Sequence, residues 1–166
     1  MSMLVIGLGN EFRRDDAAGL IAARRLRKRG VVAEEHCGAP AALMDRWMGT
    51  DGVILIDATV SGAEPGSIHS LNASVSPLPR ELFRSSTHAL GLVDAIELSR
   101  ALDVLPAEVF VFGIEARDLT HGIGLSSEVE SALPALVEQV LRQVWKIESA
   151  SKPPQRNNEC GPFAAH

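Results

Sequence analysis

Three short apolar runs constrain the fold of this chain more than any other feature. They are Met3–Leu8, which enters the turn Gly7-Leu8-Gly9, Gly52–Ile56 with its Val-Ile-Leu-Ile core, and Glu108–Ile114. Runs of this kind read as strands buried on both faces, the pattern of parallel sheets. The segments between them have helical spacing. Strands that alternate with helices imply an α/β fold, with a parallel-dominated sheet covered on both sides.

The remaining elements follow from local signals. Residues 16–29 place Ala17, Leu20, Ile21 and Leu26 on one helical face, and Gly30 ends them. Val31–Glu35 reads as a short second strand, and Pro40–Met48 as a short helix with proline in its first turn. Ile68–Leu71 reads as a strand suited to an antiparallel edge. Ser86 or Thr87 is expected to cap a helix reaching Leu102. The last helix is expected to start at Ser126 or Ser127, with Val129, Leu133, Leu136, Val137, Val140, Leu141 and Val144 on one face. After Ile147 the composition shifts to a polar, proline-containing tail. The expected organisation is one domain over 1–148 and a disordered tail over 149–166.

Composition excludes several classes. There are 16 Lys and Arg against 21 Asp and Glu, a formal net charge of −5, so no general affinity for nucleic acid or anionic membrane is expected. The densest basic run, Arg24-Arg25-Leu26-Arg27-Lys28-Arg29, falls at the end of the first helix, where cations suit the macrodipole; a partner-docking role is the alternative. The two cysteines, Cys37 and Cys160, lack metal-site spacing and suit a reducing compartment. No apolar run is long enough to span a bilayer, and no secretory signal is visible, so a cytoplasmic location is expected.

Three polar residues stand where apolar runs meet loops or helices. Asp16 follows the first strand, Asp57 directly follows Val53-Ile54-Leu55-Ile56, and His88 opens the amphipathic stretch before Leu90-Gly91-Leu92. In an open α/β sheet, residues at the carboxyl ends of strands line the ligand crevice. Two carboxylates and an imidazole suit a divalent transition metal with open positions, such as zinc or nickel, although three ligands alone hold it loosely. Each residue also has a purely structural alternative. Asp15 and Asp16 are adjacent and cannot point the same way, so one caps a helix and the other faces the crevice. Asp57 can cap a turn, and His88 can be an ordinary hydrogen-bonded histidine. Gly7-Leu8-Gly9 begins like a dinucleotide fingerprint, but Phe12 stands where the third small residue belongs, which favours a tight turn over NAD binding.

Taken together, these segments resemble the hydrogenase maturation endopeptidases of NiFe hydrogenases. Val5–Gly19 looks like the opening motif of that family, Gly-x-Gly-Asn followed by an acidic pair and a glycine. Ile56-Asp57-Ala58 looks like the second motif and Ser86–Leu92 the third, and Gly113-Ile114-Glu115 and Gly124-Leu125-Ser126 fit later parts of the pattern. The resemblance spans about residues 3–145. It implies an α/β/α sandwich around a mostly parallel five-stranded sheet. It also implies removal of a C-terminal extension from the hydrogenase large-subunit precursor after nickel insertion. The metal-contacting roles fall on Asp16, Asp57 and His88, with the nickel supplied by the substrate and other divalent metals able to substitute in vitro. Ala17-Ala18 replaces the Asp-Gly of many members, and the tail has no counterpart.

Peptide hydrolysis needs an activated water and a stabilised oxyanion, both within reach of a metal. The expected scheme has Asp16, Asp57 and His88 completing the coordination of substrate nickel while one carboxylate serves as general base. Two rivals use the same residues differently: a nickel-sensing or delivery module without peptidase activity, and an unrelated α/β hydrolase or nucleotide-binding protein.

Overall fold

The computed structural model describes residues 2–83 and 91–152. Its five strands are β1 (Met3–Leu8), β2 (Ala33–His36), β3 (Gly52–Thr59), β4 (Ile68–Asn72) and β5 (Glu108–Glu115). Its α-helices are α1 (Ala18–Lys28), α2 (Leu43–Trp47), α3 (Leu92–Ala101) and α4 (Ser127–Ala150). The strands form one sheet in the order β2-β1-β3-β5-β4, parallel except for β4, which pairs antiparallel with β5 at one edge.

Pleating distributes the apolar runs to two cores, because successive side chains point to opposite faces. Val5, Ile54, Ile56, Phe112 and Ile114 pack with α1 and α4. Leu4, Ile6, Val53, Leu55, Val109 and Val111 face α2 and α3 on the other side. The result is the three-layer α/β/α sandwich expected from the alternation of elements. The apolar stripe predicted for α4 is buried along its whole length. Among the described residues no helix is long and apolar enough to cross a membrane.

Two glycines let α1 lie close against the sheet. A Cβ on Gly7 would come within 2.0 Å of the Gly19 carbonyl oxygen, and one on Gly19 within 2.3 Å of the Leu8 carbonyl oxygen. The Gly7-Leu8-Gly9 segment is thus a close-packing device. The basic run at the end of α1 is consumed in surface ion pairs: Arg24 and Arg27 with Glu35, Arg25 with Glu130 and Arg29 with Glu138. Each pair is worth roughly 0–1 kcal/mol, so they align α1 with β2 and α4 more than they stabilise.

Several boundaries differ from the sequence reading, two of them near the strand ends that matter here. β3 runs on to Thr59, because Asp57, Ala58 and Thr59 pair with Gly113, Ile114 and Glu115 of β5. Asp57 therefore lies inside the last turn of the ladder rather than just beyond it. α3 begins at Leu92, where the Gly91 N–H donates to Asp94 Oδ2 at 3.2 Å. The expected Ser86 or Thr87 cap falls in 84–90, outside the described residues; the tail expected over 149–166 begins later, because α4 continues to Ala150, and residues 153–166 lie outside the described residues.

Candidate active site

The strand order creates the site. From β1 the chain crosses to β2 through α1 on one face, then crosses back to β3 through α2 on the other. The two connections diverge between β1 and β3, leaving a crevice at their carboxyl ends, the switch point where open α/β sheets bind ligands. Asp16 comes from the loop after β1 and Asp57 from the end of β3, so both carboxylates converge on this crevice.

Asp57 continues the row of Val53 and Leu55, which face the α2 and α3 side. It is 9% exposed, and its Oδ1 accepts the Ala58 N–H at 2.8 Å. Burial is the main influence on its acidity and pushes the pKa up to about 7; the neighbouring charge of Asp16 adds to the rise, and the Ala58 hydrogen bond opposes it. Asp16 is 8% exposed, and Arg13 Nη1 lies 3.8 Å from its Oδ2. Gly9 makes this placement possible. Its φ is +150°, and a Cβ there would come within 1.8 Å of the Asp16 carbonyl oxygen. Two carboxylates crowded into a dry crevice repel each other, and a divalent cation shared between them would relieve that repulsion.

Asp15 takes the structural role of the acidic pair. It is fully buried, and its carboxylate accepts the backbone N–H of Arg117 at 2.9 Å, of Asp118 at 2.9 Å and of Ser126 at 2.7 Å. The Ser126 hydroxyl donates a fourth bond at 2.9 Å. Ser126 is the N-cap of α4, so Asp15 caps not its own helix but one whose N-cap lies 111 residues later. This ties the loop after β1 to the loop after β5 and orients Asp16 next door. Asp15→Ala would orphan these donors, and a loss of about 2–4 kcal/mol in unfolding free energy is expected by urea denaturation, with Asp15→Asn losing less. An unchanged midpoint would contradict the tie.

Glu115, at the end of β5, forms a second anchor. Its carboxylate accepts the Thr59 hydroxyl at 2.9 Å, the Ser61 N–H at 2.7 Å, the Ser61 hydroxyl at 2.9 Å and the Gly62 N–H at 3.1 Å. Burial acts most strongly on it and would raise its pKa, but these bonds together outweigh burial and hold it below the usual value. It fastens the turn after β3 to β5 and so steadies the strand end that carries Asp57.

Of the three residues singled out in the sequence, Asp16 and Asp57 are brought together. His88 lies outside the described residues. Leu82, which precedes that segment, accepts the Val60 N–H at 3.0 Å just past the end of β3. Sequence reasoning missed the long-range partners of Asp15 and the approach of Arg13 to Asp16. No local signal marks the first, whereas the i, i+3 spacing of Arg13 and Asp16 was visible. Among the described residues no group of three or more His, Cys, Asp or Glu side chains is gathered for a metal.

Comparison with known proteins gives a consistent set of relatives. The family model for hydrogenase maturation proteases (HycI) matches residues 37–143. The hydrogenase 2 maturation protease of Escherichia coli is 30% identical over 149 residues, covering 85% of this chain and 89% of that protein. The NiFe hydrogenase maturation protease HybD of Thermococcus kodakarensis superposes with a TM-score of 0.69 at 30% identity, covering 86% of this chain and 99% of that one. The hydrogenase maturating endopeptidase HybD of Escherichia coli superposes with a TM-score of 0.73 at 26% identity, covering 89% and 94%.

Proposed function

Since the chain belongs to the hydrogenase maturation protease family, we propose that it is the endopeptidase that removes the C-terminal extension of a NiFe hydrogenase large subunit once nickel is in place. The observation that supports this reading best is the pairing of Asp16 and Asp57, both buried, in the crevice between β1 and β3. Burial chiefly, and the charge of Asp16 in addition, disfavour the ionised form of Asp57, and a divalent cation would relieve both. On this reading the cation is the nickel already held by the substrate, and the scissile peptide bond arrives with it.

Asp16, Asp57 and His88 then complete the coordination of the substrate's nickel and place the peptide carbonyl. Two carboxylates and one imidazole form too small a set for a tight resident site, which suits a metal that comes and leaves with the precursor. The nickel brought by the substrate would supply polarisation of the carbonyl, and a carboxylate of the pair would take the proton of the attacking water and pass it to the leaving amine nitrogen. The ordered strand ends supply orientation: Glu115 steadies β3, and Asp15 steadies the Asp16 loop. Discrimination between loaded and unloaded precursor follows, because a precursor without nickel leaves the repulsion between the carboxylates in place.

The test is to incubate the purified protein with a large-subunit precursor, with and without nickel loading, and to weigh the products by mass spectrometry. Loss of a C-terminal peptide from the nickel-loaded form alone is expected. Asp16→Asn and His88→Ala should each slow this cleavage by about 100-fold or more, since even groups behind metal ligands cost roughly 10–100-fold when removed. Cleavage that ignores nickel, or that survives in both variants, would overturn the reading. Stable complex formation without cleavage in either form would instead indicate a nickel-sensing or delivery module.

A further inference from the structure

The two loops that flank the carboxylates are stitched together in a way that folding alone does not require. Arg13 and Gly122 form a parallel bridge; the Gly122 N–H donates to the Phe12 carbonyl at 2.9 Å, and the Arg14 N–H donates to the Gly122 carbonyl at 3.0 Å. On this arch two large apolar side chains face solvent, Phe12 at 62% exposure and Ile123 at 74%. Arg14, on the same arch, has a φ of +47°, a left-handed conformation that a non-glycine residue adopts at a cost. Its guanidinium lies against Gly122, where a Cβ would come within 2.8 Å of Arg14 Cζ. Arg14 Nε is buried and makes no hydrogen bond, its nearest anionic oxygen being Asp118 Oδ2 at 3.5 Å.

We propose that this arch reads the substrate polypeptide, with Phe12 and Ile123 holding an apolar side chain and Arg14 a carboxylate of the same extended segment. The inference rests on the functional reading above and extends it to the recognition of the precursor chain. The Asp16 N–H donates to the Arg13 carbonyl at 3.1 Å, so the arch and the candidate ligand belong to one short stretch of backbone. A peptide bond delivered to Asp16 and Asp57 must carry its flanking residues across it. The three side chains supply what an acidic, apolar segment needs: exposed apolar contact surface and an arginine for the charge. Val75 is also exposed, at 78%, but sits at the opposite end of the strands, beyond Ala73, whose N–H bonds Val109 near the start of β5.

The test compares wild type, the Phe12→Ala/Ile123→Ala double variant, Arg14→Gln and Val75→Ala on the nickel-loaded large-subunit precursor. Direct binding of the precursor is titrated in parallel. The double variant is expected to raise KM about tenfold or more with kcat changed less than about twofold, and to weaken binding to the same degree. Arg14→Gln should raise KM severalfold and flatten its rise with salt. Val75→Ala should match wild type, and all four proteins should melt alike. Unchanged KM and unchanged binding in both arch variants would overturn the proposal. If wild type binds but never cleaves, the functional reading fails, and the titration still decides the arch: weaker binding by the double variant supports it, and equal binding overturns it.

Discussion

Asp57→Asn is expected to abolish cleavage while making the protein more stable at neutral and alkaline pH. The native carboxyl has a pKa of about 7, against 3.8 for the ordinary group. Between these values the folded state holds a proton that the unfolded chain has released, so wild-type stability falls as pH rises through the window from about 4 to 7. Above pH 7 the whole penalty applies. At about 1.4 kcal/mol for each of the roughly three pH units between the two values, it is of the order of 4 kcal/mol. Asparagine carries no charge at any pH, and its side-chain oxygen can still accept the Ala58 N–H. The variant should therefore melt several degrees higher than wild type at pH 8 and close to it at pH 4. Its cleavage of nickel-loaded precursor should fall by about 100-fold or more, because a neutral amide is a poor ligand and cannot take a proton. Thermal melts at the two pH values and a mass-spectrometric time course check both halves. An equal or lower melting temperature at pH 8 would show that the buried charge is compensated. A trade of stability for activity at one residue is characteristic of a functional carboxylate.

Gly19→Ala is expected to be among the most damaging small substitutions in the chain. A Cβ at this position would lie 2.3 Å from the Leu8 carbonyl oxygen and 2.5 Å from the Ile56 carbonyl oxygen. Both obstacles are backbone atoms of paired strands, β1 and β3, and neither can rotate away. Alanine gains about 1 kcal/mol of helix propensity over glycine, which would make the change stabilising on an exposed helix. Here α1 would have to retreat from the sheet over its whole length and open the core of Val5, Ala22, Ala23 and Ile54. Overpacking of this kind costs about 3 kcal/mol or more net of the propensity gain. For a chain of this size that corresponds to a fall in melting temperature of roughly 6–12 °C. The loop holding Asp15 and Asp16 immediately precedes α1, so cleavage should decline even where the variant still folds. A melting temperature at or above that of wild type would refute the close approach.

Much of this architecture can be read from local pattern. The runs at Met3–Leu8, Gly52–Ile56 and Glu108–Ile114 announce buried strands because no other element hides so many branched residues in so few positions. The stripe from Val129 to Val144 announces α4 in the same way, and all seven of its residues are buried. Ile68–Leu71 is legible as an edge strand because His69 and Ser70 interrupt its apolar run, and it is the antiparallel edge strand. Less was legible at boundaries. Asp57 reads as a strand terminus because aspartate is unfavourable in a ladder, yet pairing with Gly113 carries β3 two residues further.

Local pattern thus specifies the element types, the faces they bury, and the carboxylates and histidine worth examining. These depend on periodicity and on residue chemistry, both written within a few positions of one another. Everything else waits on how distant segments meet. Folding sets β1 beside β3, which turns two separate strand ends into one crevice. It chooses between Asp15 and Asp16 by surrounding the first with N–H donors from Arg117, Asp118 and Ser126, leaving the second for the site. It raises the pKa of Asp57 by removing water and bringing up the charge of Asp16. The divide is one of range: strand neighbours, burial and charge pairs join residues dozens of positions apart, and no local pattern specifies such a partner.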